Sequence, residues 1–394
     1  MRKALPSSIW VLGFGSLFMD ISSELIHSLL PLFMVTVLGS SMITVGLIEG
    51  VAEATAAITK VFSGALSDAL GRRKWLMVTG YGLAALTKPL FPLAPNAAWV
   101  FAARFIDRLG KGIRGAPRDA LIADITPAAQ RGAAYGLRQA LDSVGAFVGP
   151  GLAVVCMLLF DDDIQAAMWV ALFPALITVL LLAGFVREPE KALPRERGPL
   201  PRLSALAQMP VRYWLVVGLG AVFTLARFSE AFLVLRARDV GLDIAWVPLV
   251  MLVMSACYAL GAYPAGAAAD RMPARHLLLL GLVLLIAADL VLARAATPVM
   301  AFAGAALWGG HMAFTQGLLS KLVADTSPKA LRGTAFGLFN FVTGIALLLA
   351  SLIAGWLWDG FGPQACFLAG ALFAALTACG LLLYDRSGVR SGGV

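Results

Sequence analysis

Six acids and six bases lie inside long apolar stretches of the first half of this chain: Asp20, Glu24, Glu49, Glu53, Asp107 and Asp142, against Lys60, Lys88, Arg104, Arg108, Lys111 and Arg138. A charge at mid-bilayer is costly, so such side chains normally face a protein-lined cavity or one another. Asp20, Glu24 and His27 follow at i, i+4 and i+7, one face of a helix, and Pro31 extends that face. A carboxyl in an apolar cavity can load and release protons near neutral pH, and a histidine one turn on can relay them. Glu49 and Glu53 share a face with Lys60, while Arg104, Arg108, Lys111 and Arg118 climb one stripe. Arginine suits carboxylate or phosphate binding. The competing reading is neutral ion pairing that holds helices together. Pairing suits Arg138 and Asp142 at i, i+4, and snorkelling toward a membrane edge suits Lys60 and Lys111. Proton coupling or substrate contact suits Asp20, Glu24 and Glu53.

No enzyme chemistry is indicated. Gly110-Lys111-Gly112 lacks the rest of a phosphate loop, and the three histidines and four cysteines (Cys156, Cys257, Cys366, Cys379) are too scattered for a metal centre or disulfides. No cofactor or metal is expected, only a proton gradient as energy source.

The elements that must carry these groups follow from composition. With 60% hydrophobic and 14% charged residues, the chain is far poorer in charge than a soluble protein, which carries about a quarter. Breaking it at Gly, Pro and charge clusters predicts an all-α membrane protein of twelve spans: 9–38, 42–66, 74–93, 97–120, 132–159, 165–186, 211–238, 245–268, 275–294, 298–323, 332–358 and 363–384. Continuous rather than alternating apolar runs disfavour a barrel. Met1-Arg2-Lys3 before an apolar run mimics a leader, but no cleavage site follows, and the run reads as an uncleaved first helix. The net charge of +8 fits positive membrane edges better than nucleic-acid binding. Terminal segments and even-numbered loops hold about 20 of the 31 basic residues, which predicts cytoplasmic termini in an inner, cytoplasmic membrane.

The chain repeats itself. Gly64-Ala-Leu-Ser-Asp68 returns as Gly266-Ala-Ala-Ala-Asp270-Arg271, a shift of 202, and Asp124 to Leu137 returns as Asp325 to Leu338, a shift of 201. The expected organisation is two pseudo-symmetric six-helix bundles, 1–186 and 211–394, joined by a polar linker at 187–210.

Twelve spans, a parallel 6+6 repeat and Gly64-x-Leu66-x-Asp68-x-x-Gly71-Arg72-Arg73 after span 2 resemble the major facilitator superfamily, over the whole chain; Ala69 stands where that motif usually has Arg. The resemblance implies a rocker-switch carrier with one site between the halves. It also implies a cytoplasmic latch at Gly64, Asp68, Gly71, Arg72 and Arg73, repeated at Asp270 and Arg271, that breaks when the carrier opens inward. Gly136, Gly145, Gly149 and Pro150 resemble the span-5 packing motif of the family's drug/proton antiporters, and small residues at such spacing give a flat face for close packing. Of the antiporters' Arg-x-x-Gln-Gly in span 4, only Arg104 carries over. Span 1, with Asp20 and Glu24, lines the cavity in this family. So does span 10, which makes His311 and Gln316 second-half cavity residues. Arg227 and Glu230, at i, i+3 in span 7, are expected to pair. Trp308, Phe228 and Phe232 supply either an apolar wall or packing.

The expected function is a proton-coupled exporter of small organic molecules, working as a monomer. The alternatives are a proton symporter importing an anionic solute such as a chelate or organic acid, clamped by Arg104 and Arg108, and a non-transporting receptor on the same scaffold.

Overall fold

A computed structural model describes residues 5–70, 72–127, 130–188, 209–269, 271–315, 318–328 and 331–386, apart from the side chains at 65, 68, 69 and 384–386. Gly71, Asp270, Gln316, the Asp68 side chain and most of the linker therefore lie outside the described residues. Every regular element described is helical. In order these are α1 Ser7–Leu32, α2 Met42–Leu70, α3 Arg73–Thr87, α4 Ala97–Ile125, α5 Arg131–Leu159, α6 Ile164–Trp169, α7 Leu172–Phe185, α8 Val211–Leu225, α9 Ala231–Asp239, α10 Leu249–Ala269, α11 Ala274–Ala293, α12 Pro298–Thr315, α13 Leu318–Thr326, α14 Arg332–Phe361 and α15 Pro363–Arg386. Eight helical stretches are long and apolar enough to cross a bilayer, and α8 is a shorter apolar one. Helix α4 falls short of that apolarity because it carries the basic stripe. Most of its charges meet charges of other helices instead, and several of them are buried.

Two of the expected continuous spans are broken. Span 6 divides at Val170–Ala171 between α6 and α7. Pro174 has no N–H to donate to the Val170 carbonyl, which accepts from Phe173 N at 3.2 Å instead. Span 7 divides between α8 and α9, where residues 227–229 leave the helix. Ser229 stabilises the break: its hydroxyl accepts from Ala231 N at 3.2 Å, and its own N–H donates to Ser351 Oγ at 3.3 Å. In α1, Pro31 stays within the helix, and a π-helical turn, Phe33–Val37, follows it. A proline that removes one backbone donor makes such a local change of register easier to accommodate.

The apolar core is shared at one end of the molecule. A large cluster joins Leu29 of α1 and Phe33 of the π-helical turn to Phe232 and Leu235 of α9, with Trp308 and Trp358 beside them. Near the end that carries the termini two smaller clusters each belong to one half: Leu12, Met77, Tyr81 and Ile122 in the first, Tyr213, Val323 and Phe339 in the second. The halves are thus sealed together at the end far from the termini. One polar contact reinforces the seal. Asp359, near the end of α14, accepts from Met42 N at 3.0 Å and Ile43 N at 2.9 Å, and so caps α2 from the opposite half. Helices α2 and α14 stay together well below this point, since a Cβ built on Gly337 would stand 3.4 Å from Val61 Cγ1.

Candidate functional site

Close helix packing sets the position of the first carboxylates. A Cβ built on Gly145 of α5 would stand 2.8 Å from Asp20 Cβ, and one on Gly149 would stand 2.7 Å from Glu24 Cβ. No larger residue fits at either place without moving α1, so these glycines press the acidic face of α1 into position. Pro150 is buried beside them. Gly136 departs from the expected packing role: it is exposed and no atom lies within 4 Å of a Cβ built there, because this first part of α5 has left the contact with α1.

From Glu24 a chain of charged groups crosses four spans. Glu24 Oε2 lies 3.6 Å from His27 Nδ1, and His27 Nε2 lies 3.6 Å from Glu49 Oε2. Glu49 is fully buried and takes a two-point contact from Arg104, with Nε to Oε1 at 3.1 Å and Nη2 to Oε2 at 2.8 Å. A planar fork against a carboxylate is the strong geometry for such a pair. Asp107 is the next hub. Lys88 Nζ donates to it at 3.0 Å and also to Ser23 Oγ at 3.3 Å, while Arg108 Nε is 3.4 Å away. Arg108 then reaches Glu53 at 3.2 Å. Elements α1, α2, α4 and the short turn after α3 are joined by these bonds.

A second cluster lies nearer the termini. Arg118 donates to Ser16 Oγ at 2.6 Å and lies 3.3 Å from Asp119, which also meets Arg138 at 3.2 Å. Arg138 and Asp142 pair at 3.4 Å, as their spacing suggests. The Arg114 guanidinium stacks over the Tyr81 ring at 4.5 Å, a cation–π contact. Sequence reasoning passed over Arg114, Asp119 and Tyr81, and it gave Asp107 no role. The available signal was the spacing of Arg114 from Lys111, which continues the basic stripe of α4.

The outer members of the network are Glu24, Glu53 and the exposed Lys111, while Glu49 and Asp107 are hidden together with the arginines and Lys88. Side-chain exposure is 27% for Glu24 and 31% for Glu53, against 1% for Arg104, 4% for Arg108 and 1% for Lys88. Glu24 and Glu53 therefore face the open space near Lys111, with Arg104, Arg108 and Lys88 behind them. That arrangement removes Arg104 from the role of an anion clamp, because its fork is spent on Glu49.

The second half corrects two expectations and decides between the alternatives of a third. Arg227 and Glu230 do not form the expected ion pair, because the helix that would align them is unwound; Arg227 lies over the Phe223 ring at 5.6 Å. His311 is fully buried, with Nδ1 3.0 Å from the Gly281 carbonyl, so it packs α12 against α11 and does not line a cavity. Trp308, Phe228 and Phe232 are buried as well, in an aromatic cluster with Phe367 and Trp358, which is packing rather than an open wall. Of the loop residues, Gly64 faces α4, where a Cβ built on it would stand 3.5 Å from Ala116 Cβ, and Arg72 and Arg271 are exposed. Arg73 is buried and pairs with Asp124 at 3.0 Å, while its N–H donates to Glu188. These Arg73 contacts reach the first half and the start of the linker.

Comparison with known proteins places the architecture. The chain is 31% identical over 389 residues to an uncharacterised MFS-type transporter of Methanocaldococcus jannaschii, covering 97% of this chain and 95% of that one. It is 28% identical over 160 residues to a multidrug resistance protein of Photorhabdus laumondii, covering 41% of this chain and 39% of the other. In fold it is similar to a bacterial homologue of the human lysosomal transporter Spinster, solved in an inward-facing and occupied conformation, with a TM-score of 0.76, 15% identity and 96% of each chain covered. The sequence matches the family profile over residues 12–236 and 231–393, and the chain belongs to the Major Facilitator Superfamily of transporters.

Proposed function

We propose that this transporter is a proton-coupled exporter of small organic molecules, with cationic or neutral amphiphiles as the favoured class. The observation that carries the reading is the exposure of two first-half carboxylates: Glu24 and Glu53 face the open space, near the exposed Lys111, while Arg104, Arg108 and Lys88 are buried behind them. A carboxylate so placed can hold a proton in one orientation of the carrier and exchange it for solute in the other. Coupling needs that unequal binding between orientations, since a ligand bound equally by both shifts nothing. Asp20 and Glu24 are the primary coupling candidates, His27 links Glu24 to the Glu49–Arg104 pair, and Glu53 with Asp142 borders the same face. The partial likeness to a multidrug resistance protein supports export. The excess of Lys and Arg at one set of loops supports cytoplasmic termini, and the sealed far end is then the outer face. The units 1–186 and 211–394 move as the two bodies of the rocker switch about the linker at 187–210, and a single chain suffices.

The test is reconstitution in liposomes containing a pH dye, with an imposed proton gradient and solutes added one class at a time. Cationic amphiphiles should drive protons opposite to the solute, and Glu24→Gln should abolish that movement. Proton movement alongside carboxylates or chelates, with cations inert, would sink the exporter reading.

A further inference from the structure

The repeat puts a buried acid in the second half where the first half has a buried base. Helices α3 and α4 cross where a Cβ on Gly80 would meet the Gly110 carbonyl at 2.7 Å. Helices α11 and α12 cross where His311 Nδ1 meets the Gly281 carbonyl at 3.0 Å. Gly80 to Gly281 and Gly110 to His311 are both shifts of 201. At the same shift Lys88 becomes Asp289 and Asp107 becomes Trp308. The first-half pair is an ion pair at 3.0 Å. Its second-half counterpart has no cation: Asp289 is fully buried, neither carboxylate oxygen has a hydrogen-bond partner, and the Trp308 indole N–H has none either.

The surroundings of Asp289 are apolar. A Cβ built on Gly370 of α15 would stand 2.7 Å from Asp289 Oδ2 and 3.0 Å from the Phe228 ring, so acid and ring converge on one point. The titratable and charged groups nearest it on packed elements are otherwise engaged or neutral. Cys366 of α15 is a buried thiol, His311 is held by Gly281, Arg227 stacks on Phe223, and Arg236 of α9 binds Asp239 and the carbonyls of Leu292 and Ala295. An isolated carboxylate in such a site carries a desolvation cost that binding one proton removes. Phe228 sits on the break between α8 and α9, and α9 shares the core that seals the far end with α1. Phe228 thus stands beside Asp289 on a segment tied to the sealed end.

We propose that Asp289 is a proton-binding site in the second half, occupied while the far end is sealed and emptied when Phe228 withdraws and water enters. The site rests on the proton-coupled reading above for its role in transport, but not for its occupancy. Its chemistry is simple: the carboxylate takes one proton from water, becomes the uncharged acid, and returns the proton to water on opening.

Infrared difference spectra of the purified protein test occupancy directly. At neutral pH the wild type should show the C=O stretch of a protonated carboxyl that Asp289→Asn removes. Transfer to heavy water should shift that band slowly, and Phe228→Ala, which keeps the acid but uncovers it, should speed the shift about tenfold. An unchanged band in Asp289→Asn overturns the proposal, as does a shift equally fast with and without Phe228. In liposomes Asp289→Asn should keep solute exchange without a gradient and lose about tenfold of the pH dependence of that exchange. Retained pH dependence makes Asp289 a permanently protonated structural acid and sinks the release step. If wild-type flux is not proton-driven at all, the exporter reading falls, while the band and its exchange still decide whether Asp289 binds and is covered.

Discussion

The two halves place their polar groups by opposite rules. In α4 of the first half Arg104, Asp107, Arg108 and Arg114 are buried, and at a shift of 201 the second half has Ala305, Trp308, Gly309 and Thr315 in α12. The first half thus pairs buried charges of opposite sign across four spans, whereas the second packs aromatic rings and buries Asp289 with no counter-charge. Removing one member of a satisfied ion pair strands the other in low dielectric, while neutralising an acid that is already neutral strands nothing. The difference assigns rigidity and fixed charge to one half and apolar adaptability to the other.

The sharpest way to break this comparison is at Glu49. Glu49→Gln should destabilise the protein by about 3–5 kcal/mol, because Arg104 loses its fork partner while fully buried, and thermal unfolding in detergent would show it. The counterpart Asp289→Asn should stay within about 1 kcal/mol of wild type in the same assay. Equal losses at the two sites would mean that the halves do not differ as described. Next in size is Gly149→Val, which forces α5 off α1 at Glu24 and should cost about 1–3 kcal/mol together with most of the flux. Gly136→Ala, where nothing meets the new methyl, serves as its control and should transport normally. The smallest expected effect is Asp359→Ala, which removes the cap on α2 for about 1 kcal/mol. Its readout is labelling of a cysteine placed at Met42, which should become more reactive as the far end opens more often.

How much of this was legible in the sequence follows from the range of each interaction. The spans, the repeat and the acidic face of α1 are local patterns, and they were readable because periodicity and composition decide them. Gly145 and Gly149 were readable as packing positions, although the resemblance did not say that they back onto Asp20 and Glu24. The hub at Asp107 was not readable, since Lys88, Arg104 and Arg108 acquire a common centre only when α3 and α4 are wound against each other. The burial of His311 depends on the rotation of α12 about its axis, which spacing alone does not set. The break at 227–229 is held by Ser351, which is 122 residues away in sequence from Ser229. Such contacts are invisible to any window of a single helix.

The cap on α2 has an electrical consequence. Asp359 is exposed, and it places a full negative charge of one half against the positive end of a helix in the other. Separating the halves at that end means pulling this charge away from the helix dipole into the surrounding medium. Dissolved ions compete for both charges, with a screening length of about 8 Å at physiological ionic strength. The ease with which the halves part at that end is therefore expected to depend on the salt in the medium it meets.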